Sequence, residues 1–122
     1  MREEAQRRIE QAHRDAEAAT LSLTSGIHYL AAFCAHQAVE KALKGHHIER
    51  LRAMSPKTHD LLLLGRALSV PPEVEHDLRL LNPHYAISRD PDAANGIPAQ
   101  QYDAAIAAPL LESMARVLAW LT

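Results

Sequence analysis

The sequence predicts an all-α, up-and-down bundle of about four to five helices, and three observations lead there. Alanine and leucine supply most of the apolar residues while aromatics make up only 4% of the chain, a balance that favours helix packing over a β-sandwich. Apolar residues recur at three- and four-residue steps in several segments. Glycine and proline at positions 26, 56, 71 and 72 separate those segments, as helix-ending residues do. At 122 residues the chain makes one domain, residues 1–122, around one core.

Residues 2–24 read as the first helix, with Ile9, Ala12, Ala16, Ala19 and Leu23 on its buried face. The opposite face pairs Glu3 with Arg7, Glu4 with Arg8 and Glu10 with Arg14, each acid one turn before its base, which is the pattern of a solvated surface. Gly26 supplies a left-handed turn and Ser25 is placed to cap the next helix, so the first two helices are expected to pack antiparallel. The second, from Ile27 to about Ile48, is the central one. Its small residues Ala31, Cys34, Ala35, Ala38, Ala42 and Gly45 share one side, Leu43, Val39 and Ala32 widen the apolar surface, and Gln37, Glu40, Lys41 and Lys44 form a narrow polar stripe.

Ser55-Pro56 stops that helix, and Thr58 is placed to cap a short third one running through Leu68, with Leu61, Leu64 and Leu68 facing the core. Pro72 suits the first turn of a fourth helix carrying Val74, Leu78 and Leu81. From Asn82 to Gln101 the periodicity disappears, and a connection of that length in a small domain is functional or mobile. The last helix runs from about Asp103 to Leu121, with Pro109 expected to kink it or delay its start.

A net charge of −2 argues against a globally basic nucleic-acid binder and leaves room for a local basic groove. Cys34 is the only cysteine, so no disulfide framework exists. No run approaches the roughly 20 apolar residues of a membrane span, and the charged MREEAQRR start is neither a signal nor a transit peptide. The expectation is a cytoplasmic protein without membrane contact. No pair of histidines stands at the i, i+4 spacing of a helical metal site, so neither metal nor cofactor is expected.

Three groups of residues carry possible chemistry. Arg79 and His84 pair a planar cation with a group that moves protons near neutral pH, which is what cleavage of RNA through its own 2′-hydroxyl requires. On a continuous helix they would point about 140° apart, so they cooperate only if the helix ends between them, as Asn82-Pro83 suggests, or if a second subunit completes the site. The plainer reading is a salt link and turn at a helix end. Arg89, in Ser88-Arg89-Asp90-Pro91-Asp92, either reaches a phosphate or pairs with Asp90 or Asp92. Lys41 and Lys44 are candidates for phosphate contacts, with Glu40 holding Lys44 one turn on. His59-Asp60 reads as a helix cap in preference to a catalytic dyad.

The block Tyr29–Lys44 (YLAAFCAHQAVEKALK), followed by Lys57-Thr58-His59-Asp60-Leu61, Leu81-Asn82-Pro83-His84-Tyr85 and Ser88–Asp92, resembles in order the HEPN domain family (higher eukaryotes and prokaryotes nucleotide-binding). Arg79 to His84 looks like the R-x4-6-H motif of its ribonuclease members, although position 80 is Leu where those often have a polar residue. Asp90 replaces the tyrosine of the family's SRYPD segment, which removes a base-stacking surface there. The resemblance implies a homodimer. It also implies a minimal nucleotidyltransferase as partner and RNA or a nucleotide as ligand. Two functions remain open under it. One is a metal-independent endoribonuclease of the toxin type acting through Arg79 and His84 at a dimer cleft, and the other is a non-catalytic nucleotide- or substrate-binding companion of the nucleotidyltransferase. Lys41, Lys44, Tyr85 and Arg89 are the binding candidates in either case.

Overall fold

Alanine-rich faces bring the two longest helices together. In the computed structural model, which describes all 122 residues, α1 (Glu3–Thr24) and α2 (His28–Leu51) turn back on each other at Gly26, whose φ of 79° is the left-handed conformation glycine adopts freely. They are antiparallel. The Arg2 amide donates to Glu49 Oε1 at 2.8 Å at one end, and Lys41 Nζ meets Asp15 Oδ2 at 2.6 Å nearer the turn. Ala5, Ala12 and Ala19 on α1 and Ala31, Ala35, Ala38 and Ala42 on α2 are buried. At Gly45 the helices come so close that a Cβ would stand 2.7 Å from Ile9 Cγ1 and 3.1 Å from the Ala5 carbonyl oxygen.

On another side of α2 lies α7 (Ala104–Leu121), burying Ala107, Leu110, Leu111, Met114, Val117 and Leu121. Arg50 donates to the Leu121 carbonyl at 3.0 Å and lies over the Trp120 ring, so the two C-terminal ends sit together. This helix corrects one expectation: its 18 residues have a mean hydropathy of 1.4, enough by length and composition to cross a membrane. In this fold it is a core helix, packed on α2 and α4.

The bundle is completed by α3 (Leu61–Ala67) and α4 (Pro72–Leu81), which contribute Leu61, Leu64, Val74, Leu78 and Leu81 to the core. Asp77 ties α4 to α7, accepting from Arg116 Nε at 3.0 Å, Arg116 Nη2 at 2.9 Å and Ser113 Oγ at 2.9 Å. Burial alone would raise the Asp77 pKa, but these donors outweigh it and hold the carboxyl below its usual range. The aperiodic stretch after Leu81 folds as single turns, α5 (His84–Ile87), α6 (Pro91–Ala94) and a 3-10 turn at Pro98–Gln100.

Several local expectations change. The residue before α2 is Ile27, with no side-chain cap, and Ser25 instead closes α1. Asp60 and not Thr58 caps α3, because its carboxylate lies one residue from the helix and reaches the Leu62 and Leu63 amides. Asn82 stays helical at φ −55° and ψ −43° despite preceding proline. What ends α4 is the missing N–H of Pro83. Pro109 lies inside α7, and the helix runs through it. Of the three ion pairs read on α1, Glu3 with Arg7 forms, whereas Arg14 turns to Glu17 and Glu10 takes Gln6.

Candidate functional site

The site begins with a knot of polar groups that holds His59 in place. The Thr58 hydroxyl accepts from the Asp60 amide at 3.0 Å, Asp60 caps α3, and Asn82 at the end of α4 spans both. Its Oδ1 accepts from the Leu61 amide at 2.9 Å and its Nδ2 donates to Asp60 at 3.1 Å. Two helix ends are thereby locked side by side, and His59 projects from them onto α2.

There Nδ1 of His59 lies 2.8 Å from Glu40 Oε1. The Glu40 side chain is only 6% exposed and its other oxygen accepts from Lys44 Nζ at 3.1 Å, so both carboxylate oxygens are used. The far side of the His59 ring is open, leaving the side chain 52% exposed. The cap expected of His59-Asp60 forms, with Asp60 supplying it, whereas Glu40, expected on a polar stripe, is buried under His59.

Tyr85, at the second position of α5, lies flat on His59, with ring centroids 3.8 Å apart and planes 14° apart. The Arg89 guanidinium carbon is 4.5 Å from the Tyr85 ring centroid, and its Nη1 donates to the Tyr85 hydroxyl at 2.9 Å. A cation over an aromatic face is attracted by the ring quadrupole. Arg89 makes no ion pair with Asp90 or Asp92, since Asp90 is occupied with capping α6. Phe33 and His36 of α2 close the cluster, 6.1 Å and 5.5 Å from Tyr85 by ring centroids. A pocket of about 330 Å3 opens beside Arg89, walled by Tyr29, Leu30, Phe33, Ile97 and Pro98.

His36 is fully buried and neither ring nitrogen has a hydrogen-bond partner; its Nδ1 stands 3.8 Å from Glu40 Oε1. Burial lowers its pKa to about 4, with Glu40 pulling the other way. No periodicity argument singles out this histidine, because a buried histidine and a buried apolar residue occupy the same helical positions.

Arg79 and His84 are not joined within one chain. Arg79 is exposed on α4, its Nη2 4.0 Å from Glu75, while His84 Nδ1 lies 2.6 Å from the Tyr102 hydroxyl. Burial lowers the His84 pKa and raises that of Tyr102 to about 12, so both are neutral around pH 7. Lys41 is turned to Asp15 on α1, away from the Tyr85 cluster, and Lys44 is held on Glu40. The structure thus gathers Lys44, Tyr85 and Arg89 around His59 and Glu40, and leaves Lys41 and Arg79 elsewhere. Sequence reasoning missed Tyr102 and weighed His59 only with Asp60, as a cap or half of a dyad. For His59 the signal was present in the Lys57–Leu61 block; for Tyr102 there was none.

A family profile described as HEPN domain matches residues 5–122. Among solved structures, TT1696 from Thermus thermophilus is similar with a TM-score of 0.87 and 30% identity over 98% of this chain and 97% of that one. ST0689, described as an archaeal HEPN homologue, is similar with a TM-score of 0.80 and 29% identity over 98% of this chain and 96% of that one. No curated protein matches the chain.

Proposed function

The chain belongs to the HEPN domain family, and from that premise we propose that it is a nucleotide- or RNA-binding module whose ligand is held at the Tyr85 cluster. The observation that carries this reading is Arg89 over Tyr85, an exposed cation with no carboxylate partner beside an aromatic ring, next to an apolar pocket of about 330 Å3. A base fits such a pocket, while the exposed guanidinium takes a phosphate. The working unit is a homodimer, since a chain of this size leaves Leu21, Ile27, Leu63 and Leu80 exposed, and its companion is a minimal nucleotidyltransferase. The test is fluorescence anisotropy with a labelled mixed-sequence RNA and competition by mononucleotides. Tyr85→Ala and Arg89→Ala are each expected to weaken binding about tenfold. Equal affinity in the wild type and both variants would discard the site.

A second reading makes the protein a metal-independent endoribonuclease of the toxin type, with Arg79 and His84 of two subunits meeting in one cleft. One observation favours it: burial keeps His84 neutral and the Tyr102 hydroxyl fixes Nδ1, which leaves Nε2 for proton transfer. RNA cleavage in EDTA that His84→Ala and Arg79→Lys both abolish would support it.

A further inference from the structure

The turn after α2 brings three cations from three segments to one small hollow. Gly45 lets α1 lie so close that a Cβ at that position would stand 3.3 Å from Arg8 Cβ, which sets Arg8 beside α2. The chain leaves α2 through Arg52, in the left-handed region at φ 54°, and folds back so that Ser55, Pro56 and Lys57 line the hollow together with Arg8, Lys44 and Glu4. Its volume is about 90 Å3, against about 330 Å3 for the pocket beside Arg89. A space so far below the roughly 300 Å3 at which small-molecule pockets begin excludes a nucleoside and suits a single tetrahedral anion.

The cations there are short of partners. The Glu4 and Arg8 pair expected one turn apart does not form, and neither Arg8 nor Lys57 makes an ion pair or a side-chain hydrogen bond. Lys44 gives one N–H to Glu40 Oε2 at 3.1 Å and keeps two donors, since an ammonium carries three. Like charges around one space repel, and an anion placed between them removes that repulsion. Glu4 is the one acid on the lining, outnumbered three to one.

We propose that Arg8, Lys44 and Lys57 form a binding site for a phosphate dianion, either the free ion or the terminal phosphate of a small phosphomonoester. Arg8 presents a planar fork to two oxygens, the lysines bring point charges, and Ser55 adds a hydroxyl donor. A phosphodiester has one charge fewer and two ester groups to house, so a nucleic-acid backbone is the wrong ligand for this hollow. Neither Tyr85 nor Arg89 lines it, and the site stands whether or not RNA binds at their cluster.

The experiment follows backbone amide chemical shifts of the isotope-labelled full chain as inorganic phosphate is added at about pH 8, where phosphate is mostly a dianion, with ionic strength held constant by sodium chloride. Saturable shifts centred on residues 54–57 are expected. Glycerol 3-phosphate and dimethyl phosphate are titrated in parallel. Whichever of phosphate and glycerol 3-phosphate binds more tightly identifies the source of the group, and dimethyl phosphate should bind at least about tenfold more weakly than either. Arg8→Ala and Lys57→Ala change exposed, unpaired side chains and should each raise Kd about tenfold. Glu4→Gln should lower it about twofold to fivefold. Arg7→Ala, whose guanidinium is paired with Glu3 outside the hollow, should leave it unchanged. Shifts that never saturate, binding that Arg8→Ala and Lys57→Ala leave at wild-type strength, or dimethyl phosphate that binds as tightly as phosphate would each overturn the proposal.

Discussion

Helix α2 has two sides built on opposite principles. Toward α1 it presents alanines and Gly45, which carry no charge and allow close backbone approach. Toward α3 and α5 it presents His36 and Glu40, buried against Tyr85 and His59, with half-buried Lys44 held on Glu40. A small-residue seam gains stability from dispersion and area. A buried charged cluster gains little, because desolvation offsets the attraction between its members. The polar side therefore costs stability where the alanine side supplies it, and that is the usual arrangement of a scaffold holding a working site.

The largest expected effect tests the polar side. Glu40→Ala leaves Lys44 without its partner in a half-buried position and frees His59, and should lower unfolding free energy by about 3 to 4 kcal/mol. Urea denaturation followed by circular dichroism measures it, and Glu40→Gln should cost less. A change under about 1 kcal/mol would place the carboxylate outside any energetic role.

Next comes pH. His36 has a folded-state pKa of about 4 against 6.5 for a free histidine, so above pH 6.5 it is neutral in both states. As pH falls below 6.5 the unfolded chain takes up a proton that the folded chain refuses, and stability declines until about pH 4. At about 1.4 kcal/mol per unit the loss is roughly 3 kcal/mol. His36→Gln, compared with the wild type across that range, should flatten this part of the curve. An unchanged slope would assign the acid sensitivity to other groups.

The alanine side was legible in the sequence and the polar side only in part, for a physical reason. Ala31, Ala35, Ala38 and Ala42 obey the 3.6-residue period, so their burial follows from spacing. Glu40 sits beside them, and its sequence neighbours give no sign that His59, nineteen residues away, folds over it. Arg89 was legible as a candidate, but whether it would choose Asp90, Asp92 or a ring depended on Asp90 being taken by a cap. Arg79 and His84 were legible as a pair in the chain, and five residues of helix and turn set them apart in space, Arg79 beside Glu75 and His84 against Tyr102.

A smaller effect tests the alanine side. In an exposed helix Gly→Ala gains about 1 kcal/mol from propensity. At Gly45 the new Cβ would press on Ile9 and the Ala5 carbonyl, and relieving such overpacking costs about 1–3 kcal/mol. The two terms oppose each other, and because one obstacle is backbone that cannot rotate away, Gly45→Ala should be destabilising by about 1 kcal/mol net. Stabilisation by thermal melting would mean that α1 and α2 separate easily and that the seam is less tight than its geometry.

The smallest effect sits on the outer face of α1, where Glu3 and Arg7 meet at 2.9 Å with both side chains mostly exposed. Such a pair contributes about 0.2–0.5 kcal/mol and is screened by salt. Glu3 also lies in the first turn of α1, where a negative charge favours the unsatisfied amides, so Glu3→Gln removes two small terms together. Together they should stay under about 1 kcal/mol and fade in roughly 1 M salt. Asp15→Asn, which removes the partner of Lys41 across the seam at 2.6 Å with less solvent around it, is expected to lose more than Glu3→Gln and to keep more of that loss in salt. If the two variants respond to salt alike, the Lys41–Asp15 contact behaves as a surface pair, and the union of α1 with α2 rests on alanine packing alone.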